Sequence, residues 1–239
     1  FYSKSKVTAM INQLNRRPPN FLAINLLLLS ILGIAIGASI GSTGFESVLV
    51  ALQDQIAWQI VWDIRLPRSV GACVAGALLG LAGAVAQGLF RNPLADPYLL
   101  GSASGASLGV AIALAMFGGS PFATEFFTRL GLTGAAFMGA VLAVMLTITL
   151  AQGVQHTLRL LLAGVIVGVV LGAMASLMTL TRPDVLQGMQ GFLLGSTSFI
   201  AWSACILMLG VLVVCFGFAW VFSRVLDALS LGELTAKSL

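Results

Sequence analysis

The sequence predicts an all-α integral membrane protein, a polytopic bundle of six membrane-spanning helices. Of its 239 residues, 59% are hydrophobic and only 8% are charged, whereas an average soluble domain has about 25% charged residues. A chain with so little charge cannot cover a surface that faces water, so most of its outside must face lipid. The charged residues also leave six long gaps, which are residues 18–45, 69–90, 97–124, 130–158, 160–181 and 185–223.

Each gap is long enough for one membrane-spanning helix, because about 20 apolar residues cross the hydrocarbon core. Strands of a membrane barrel would instead alternate over about ten residues, and these stretches do not. The predicted spans are residues 21–40, 66–90, 101–118, 132–151, 159–180 and 201–222. The last gap exceeds one crossing, so we expect a short extra helix within 185–200. The predicted connections are 41–64 and 118–131 on the outer side, and 91–100 and 152–158 on the inner side.

The basic residues predict the orientation of the bundle. The first twenty residues are polar and basic and precede a run of full spanning length, which is unlike a cleavable signal peptide. This arm is expected in the cytoplasm, and alternation of the spans then places eight basic residues inside and four outside. The sequence therefore predicts a multi-pass membrane protein with a cytoplasmic N-terminus. The net charge of +4 is a topology signal rather than a nucleic-acid footprint.

Glycines recur at four-residue spacing in several predicted spans, namely Gly33, Gly37 and Gly41, then Gly101, Gly105 and Gly109, then Gly164, Gly168 and Gly172. Small residues at this spacing let helix backbones approach closely in lipid. The pattern favours a tight multi-helix bundle. Lining of a substrate path is a second interpretation, for which the candidates are Gly101, Ser104, Gly105, Gly164 and Gly168.

Several kinds of chemistry have no motif in this sequence. It contains no GxxxxGK[ST] phosphate-binding loop and no HExxH motif. The three cysteines and the lone His156 have no metal-ligand spacing. No Asp or Glu lies deep in a predicted span, although proton relays of pumps and carriers usually need one. We therefore expect no catalytic residue, metal or cofactor in this chain, and a path whose energy comes from a partner.

Residues 91–101, RNPLADPYLLG, interrupt two apolar runs with charged and helix-breaking residues. Its prolines stop helix propagation, while Asn92 and Asp96 can cap the freed backbone groups, Asp96 at the start of a short turn. The pattern predicts a capped turn.

Residues 65–109, RLPRSVGACVAGALLGLAGAVAQGLFRNPLADPYLLGSASGASLG, closely resemble the permease family of type II ABC importers for vitamin B12, iron-siderophores and haem, the FecCD-like permeases. Three further matches follow in the family's order: LRLLLAG at 158–164, GFLLGSTS…W at 191–202, and LSLGELTAKSL at 229–239. The likeness runs from about residue 21 to the end of the sequence.

This resemblance implies a homodimeric permease in the inner (plasma) membrane of a bacterium, with two cytoplasmic ATPase subunits below it and a periplasmic substrate-binding protein above it. ATP and Mg²⁺ would belong to the ATPase, and lipid would surround the bundle. Residues 1–222, with a basic arm at 1–20, would form the permease bundle, and 223–239 the segment that contacts the ATPase. Family members have about ten helices, so we expect this sequence to be a truncated form.

The resemblance also implies roles for individual residues. Asn92 and Leu94 would help close the cytoplasmic end of the path, with a second constriction at the loop that includes His156 and Thr157. Arg65 and Arg68 would receive acidic residues of the binding protein. In the tail, coupling to the ATPase would rest on Leu231, Gly232, Glu233 and Ala236.

Other interpretations stay open for these features. RNPLADP can be a plain capped turn, the two arginines can extend to lipid headgroups, and the tail can be an interfacial amphipathic helix. As a whole the chain can also be an ion-coupled secondary carrier or a membrane scaffold. Among chelates, haem or a ferric siderophore ranks above cobalamin only because such importers are more numerous.

Overall fold

The computed structural model describes residues 19–41, 44–45, 55–117, 126–151, 157–198 and 200–224, which are mainly helical. The helices are α1 (Pro19–Ser39), α2 (Gln55–Ile60), α3 (Leu66–Phe90), α4 (Ser102–Phe117), α5 (Phe126–Ala151), α6 (Thr157–Thr181), α7 (Pro183–Leu194) and α8 (Trp202–Val221). A π-helical turn, Val61–Arg65, joins α2 to α3, and a 3₁₀ turn, Pro97–Leu100, precedes α4. The two-residue strands β1 (Ile40–Gly41) and β2 (Gly44–Phe45) pair antiparallel, with Ile40 opposite Phe45.

The predicted fold class, a helical membrane bundle, is confirmed. Five helical spans within the described ranges are long and apolar enough to cross a bilayer, and they correspond to five of the predicted spans. The remaining one, α4, has 16 residues, fewer than the about 20 that a crossing needs. The count of six crossings is therefore not confirmed, although helices occupy all six predicted positions. The short extra helix expected within 185–200 is present as α7.

Two predicted connections were wrong in extent. The connection predicted at 41–64 is helical from Gln55 onward, and the one predicted at 118–131 is helical from Phe126 onward. Both predictions placed the start of a helix near the edge of a charge-free gap. Residues 55–64 contain neither glycine nor proline, so nothing in the local sequence stops the helix there.

The chain divides into two compact units, the first comprising Phe1–Cys73 and Ile200–Cys205. In this unit α1 makes its close approach near its C-terminal end, where Gly37 lies against the side chain of Ser69. The first turns of α3 also approach the start of α8 closely at a glycine. A β-carbon added at Gly71 would lie 2.8 Å from Cγ2 of Ile200. The rest of α1 is exposed apolar surface, which is stable in lipid.

The second unit comprises Val74–Phe199 and Ile206–Leu239. Within it α4 packs on α5 backbone to backbone, because β-carbons added at Gly105 or Gly139 would each collide with the other residue's carbonyl group. Beside this contact lies a buried apolar cluster from α4 and α7, which consists of Val110, Ala111, Leu114, Val185 and Met189. The glycine spacing of residues 101–109 therefore reports close helix packing, as predicted.

Candidate functional site

The segment RNPLADPYLLG begins with a hydrogen-bonded stop of α3. The N–H of Asn92 donates to the carbonyl of Gln87 at 3.2 Å, and that of Arg91 to the carbonyl of Gly88 at 3.4 Å. This pair of hydrogen bonds defines the Schellman motif, which normally has glycine at its left-handed residue. Here that residue is Arg91, with φ of 51°. A side chain in this region costs about 1 kcal/mol relative to glycine.

The two predicted caps are confirmed. The Asn92 side-chain oxygen Oδ1 accepts the N–H of Leu94 at 2.9 Å, and Oδ1 of Asp96 accepts the N–H of Tyr98 at 2.7 Å. Asp96 thereby caps the 3₁₀ turn, in which Pro97 occupies the first position, where a missing N–H costs nothing. Backbone and side chains together leave the turn little freedom.

The apex of this turn places two neighbouring apolar residues in opposite environments. Leu94 is 88% exposed, whereas Ala95 is 5% exposed and belongs to a buried cluster with Ala86 and Phe90 of α3. The turn is thus pinned by Ala95 while it holds the side chain of Leu94 away from the packed surface.

The C-terminal end of the segment is clamped by two helices. The hydroxyl of Thr147, a fully buried residue of α5, donates to the carbonyl of Leu100 at 2.9 Å. On α6, Gly164 lies so close to the carbonyl of Leu99 that a β-carbon would collide with it. Gly101 ends the segment in the left-handed region, with φ of 80°. Sequence reasoning missed Thr147, and its only signal was a hydroxyl within an apolar span.

Four of the five residues predicted to line a path share one surface depression. It has a volume of ≈ 450 Å³ and is lined by Asp96, Tyr98, Leu99, Gly101, Ala103, Ser104, Gly164, Val165, Gly168 and Val169. The fifth, Gly105, is buried against Gly139 and Ala143. Path lining by these residues stays a prediction, and the shared depression gives it a location.

Arg65 and Arg68 lie where the helix changes from π to α geometry. Arg65 is the last residue of the π-helical turn, and Arg68 is in the first turn of α3. Both are partly exposed, and Pro67 between them is buried. The two arginines therefore lie at a helix break.

The other predicted site residues lie at or beyond the edges of the described ranges. Thr157 is the first residue of α6, and His156 falls outside the description. Leu231, Gly232, Glu233 and Ala236 of the tail also fall outside it. Within the described ranges, no group of three His, Cys, Asp or Glu residues could hold a metal ion.

The FecCD transport family model matches residues 25–239, which include the turn, the helix break and the tail. The chain belongs to the FecCD transport family. Three relatives are named as permease proteins of transport or import systems, so family membership agrees with the resemblance found in the motifs.

Relatives from two bacteria are more than a third identical to this FecCD-family chain. The ABC transporter permease protein YvrB of Bacillus subtilis is 37% identical over 203 residues, which is 85% of this chain and 54% of YvrB. The ferric enterobactin transport system permease protein FepD of Escherichia coli is 36% identical over 219 residues, 90% of this chain and 64% of FepD. The vitamin B12 import system permease protein BtuC of Escherichia coli is 35% identical over 182 residues, which is 75% of this chain and 53% of BtuC.

One similar solved structure is described as a metal-chelate type ABC transporter in an inward-facing conformation. The TM-score is 0.76 at 27% identity, and the match covers 92% of this chain and 68% of that chain. This FecCD-family chain spans between half and two-thirds of the length of the curated relatives that it matches.

Proposed function

We propose that the full-length protein is the transmembrane permease subunit of an ATP-driven importer for a metal chelate, in the inner membrane of a bacterium. Two copies would flank the path, with two ATPase subunits on the cytoplasmic side and a substrate-binding protein on the outer side. The observation that carries this proposal is the turn at residues 91–101, a family motif that folds as a rigid support for one exposed apolar side chain. Family membership and the relatives FepD and BtuC support it.

The cargo we propose is an iron chelate, haem or a ferric siderophore, with cobalamin as the second candidate. The names of the relatives include ferric enterobactin and vitamin B12, which are both bulky metal chelates. Reconstituted full-length importer in liposomes should accumulate one of these chelates when ATP is supplied to the ATPase side. Uptake that requires an ion gradient and does not require ATP would instead support the competing interpretation, an ion-coupled carrier.

Asn92 and Leu94 are proposed to close the cytoplasmic end of the path. The turn fixes their backbone through four hydrogen bonds to its own residues or to α3, and the Leu94 side chain is 88% exposed. An apolar side chain on so rigid a support can block a pore mouth without support of its own.

A disulfide between the two copies tests this closure. Asn92→Cys in a background with Cys73, Cys205 and Cys215 replaced by serine should cross-link under oxidation and stop uptake, and reduction should restore it. Full uptake with the cross-link in place would contradict the gate. The second constriction proposed at His156 and Thr157 can be tested in the same background with Thr157→Cys.

Arg65 and Arg68 are proposed to dock the binding protein through acidic residues on its two lobes. Such charge pairs act mainly on docking and orientation, and salt weakens them. Arg65→Glu with Arg68→Glu should abolish uptake that depends on the binding protein, while lysine at both positions should preserve much of it. If the glutamate variant binds the substrate-binding protein as tightly as the original protein does, the docking role is refuted.

The tail is proposed to couple the permease to the ATPase through Leu231, Gly232, Glu233 and Ala236. The support is the family match, which extends through residue 239. Ala236→Trp should uncouple ATP hydrolysis from uptake while the subunit still inserts, and Ala236→Gly should retain coupling. Retained uptake and ATPase stimulation in the tryptophan variant would refute the assignment.

A further inference from the structure

Trp202 is part of the motif GFLLGSTS…W, and the proposed function assigns no role to it. It is the first residue of α8, and its ring lies against Trp62 of the π-helical turn, with centroids 5.3 Å apart at 40°. Trp62 in turn stacks on Trp58 of α2, with centroids 6.0 Å apart. The three rings form a ladder beside the helix break.

The helix break leaves one backbone carbonyl without a helical donor. In an α-helix the carbonyl of Trp62 would accept the N–H of Leu66, but that N–H donates to Val61, five residues back. In a π-helix the donor to Trp62 would be the N–H of residue 67, which is a proline and has none. The Trp62 carbonyl therefore lacks both possible partners along the chain.

The indole of Trp202 supplies the missing donor. Its Nε1–H donates to the Trp62 carbonyl at 2.9 Å. A second bond from the same turn of α8 reaches the break, from Sγ of Cys205 to the carbonyl of Pro67 at 3.1 Å. Among aromatic side chains of this reach, only tryptophan combines a large apolar ring with an N–H that can only donate.

The geometry of this break decides how Arg65 and Arg68 are presented. A helix turns by about 100° per residue, so the extra residue of the π-turn rotates everything before it relative to α3. Arg65 lies inside the π-turn and Arg68 beyond it. If the π-turn relaxed to α geometry, the angle between the two guanidinium groups would change.

We propose that Trp202 is a positioning residue for docking: its indole N–H holds the π-helical turn in place and so sets the relative orientation of Arg65 and Arg68 toward an acidic partner surface. This inference rests on the proposed docking role of the two arginines. It assigns to the start of α8 a function that acts only through residues 61–68.

The first test follows the turn itself, in the full-length protein in lipid nanodiscs. Trp202→Phe keeps a ring and removes the donor, so amide exchange of residues 62–66 should become at least about tenfold faster. Trp58→Phe is the matched control, because Trp58 belongs to the same ladder without donating to the break, and it should leave exchange unchanged. Unchanged exchange in Trp202→Phe would overturn the proposal.

The second test follows docking, with the importer's own binding protein as the probe. Trp202→Phe should weaken binding about five- to tenfold, and the same substitution should have no further effect when Arg65 and Arg68 are both alanine. Equal losses in the two backgrounds would mean a general structural role and would overturn positioning. If the double alanine variant binds like the original protein, the docking function fails, and positioning with it, whereas the exchange result still reports on the bond.

Discussion

The turn at residues 91–101 and the helix break at residues 61–67 are fixed by different means. In addition to its side-chain hydrogen bonds, the turn is held by direct backbone contact, since Gly164 and Gly101 let one backbone lie directly on another. The break is held where side chains are present, since Trp202 and Cys205 reach across to carbonyl groups. Backbone contact leaves no room for adjustment, whereas a side-chain bond can be lost while the packing around it remains.

This difference separates a rigid element from an adjustable one. The turn carries Leu94, which in the proposed gate would hold one position to close a path. The break carries Arg65 and Arg68, which in the proposed docking role would meet a partner that arrives and leaves. The comparison predicts the largest effects from adding atoms where backbones are in direct contact and smaller effects from removing a single side-chain hydrogen bond.

The largest effect is expected from Gly164→Ala. The added methyl would collide with the Leu99 carbonyl, and overpacking of this kind costs about 1–3 kcal/mol. Gly33→Ala is the control, because among the described residues no atom outside the adjacent turns of its own helix lies within 4 Å of the site of its new β-carbon. Thermal unfolding in detergent should show a lower midpoint for the first variant only. Equal midpoints would show that the turn can yield, and the contrast between the two regions would fail.

A smaller loss is expected from Thr147→Val. Valine keeps the shape but leaves the Leu100 carbonyl without its donor, and such bonds within membrane proteins contribute about 0.6–2 kcal/mol. Thr147→Ser retains the hydroxyl and should retain most of the stability and of the uptake rate. If serine and valine behave alike, the hydroxyl contributes packing rather than a hydrogen bond.

The sequence predicted the chemistry of the turn better than it predicted the break. Asn92 and Asp96 cap through bonds to residues two positions ahead, and such local bonds can be read from residue types. The bond from Trp202 to Trp62 joins residues 140 positions apart, and no local pattern contains it. No local pattern contains the hydrogen bond from Thr147 to Leu100 either, or the close backbone contact between Gly164 and Leu99.

Helix boundaries predicted from the positions of charged residues were also inaccurate. The span predicted to begin at residue 66 is preceded by helix from Gln55 onward, because residues 55–64 contain neither glycine nor proline. Helix positions taken from long apolar runs were sound, since the length of a run is set by the bilayer itself.

The smallest effect is expected from Arg91→Gly. Glycine adopts the left-handed conformation of this residue without strain, so unfolding should require up to about 1 kcal/mol more free energy. Arg91→Ala removes the same charge but keeps a β-carbon in the left-handed region, so it should show no such gain. A gain in both variants would trace the effect to the charge rather than to the backbone.

We propose that the rigid turn at residues 91–101 holds a gate that opens during transport. Leu94→Cys in the full-length importer, with its native cysteines replaced by serine, allows the rate of thiol labelling to be measured with and without ATP. The labelling rate at position 94 should change at least several-fold between the two nucleotide states, while Leu180→Cys, at an exposed position of α6, should label equally in both. Equal labelling of position 94 in both states, in an importer that still transports, would contradict the gate.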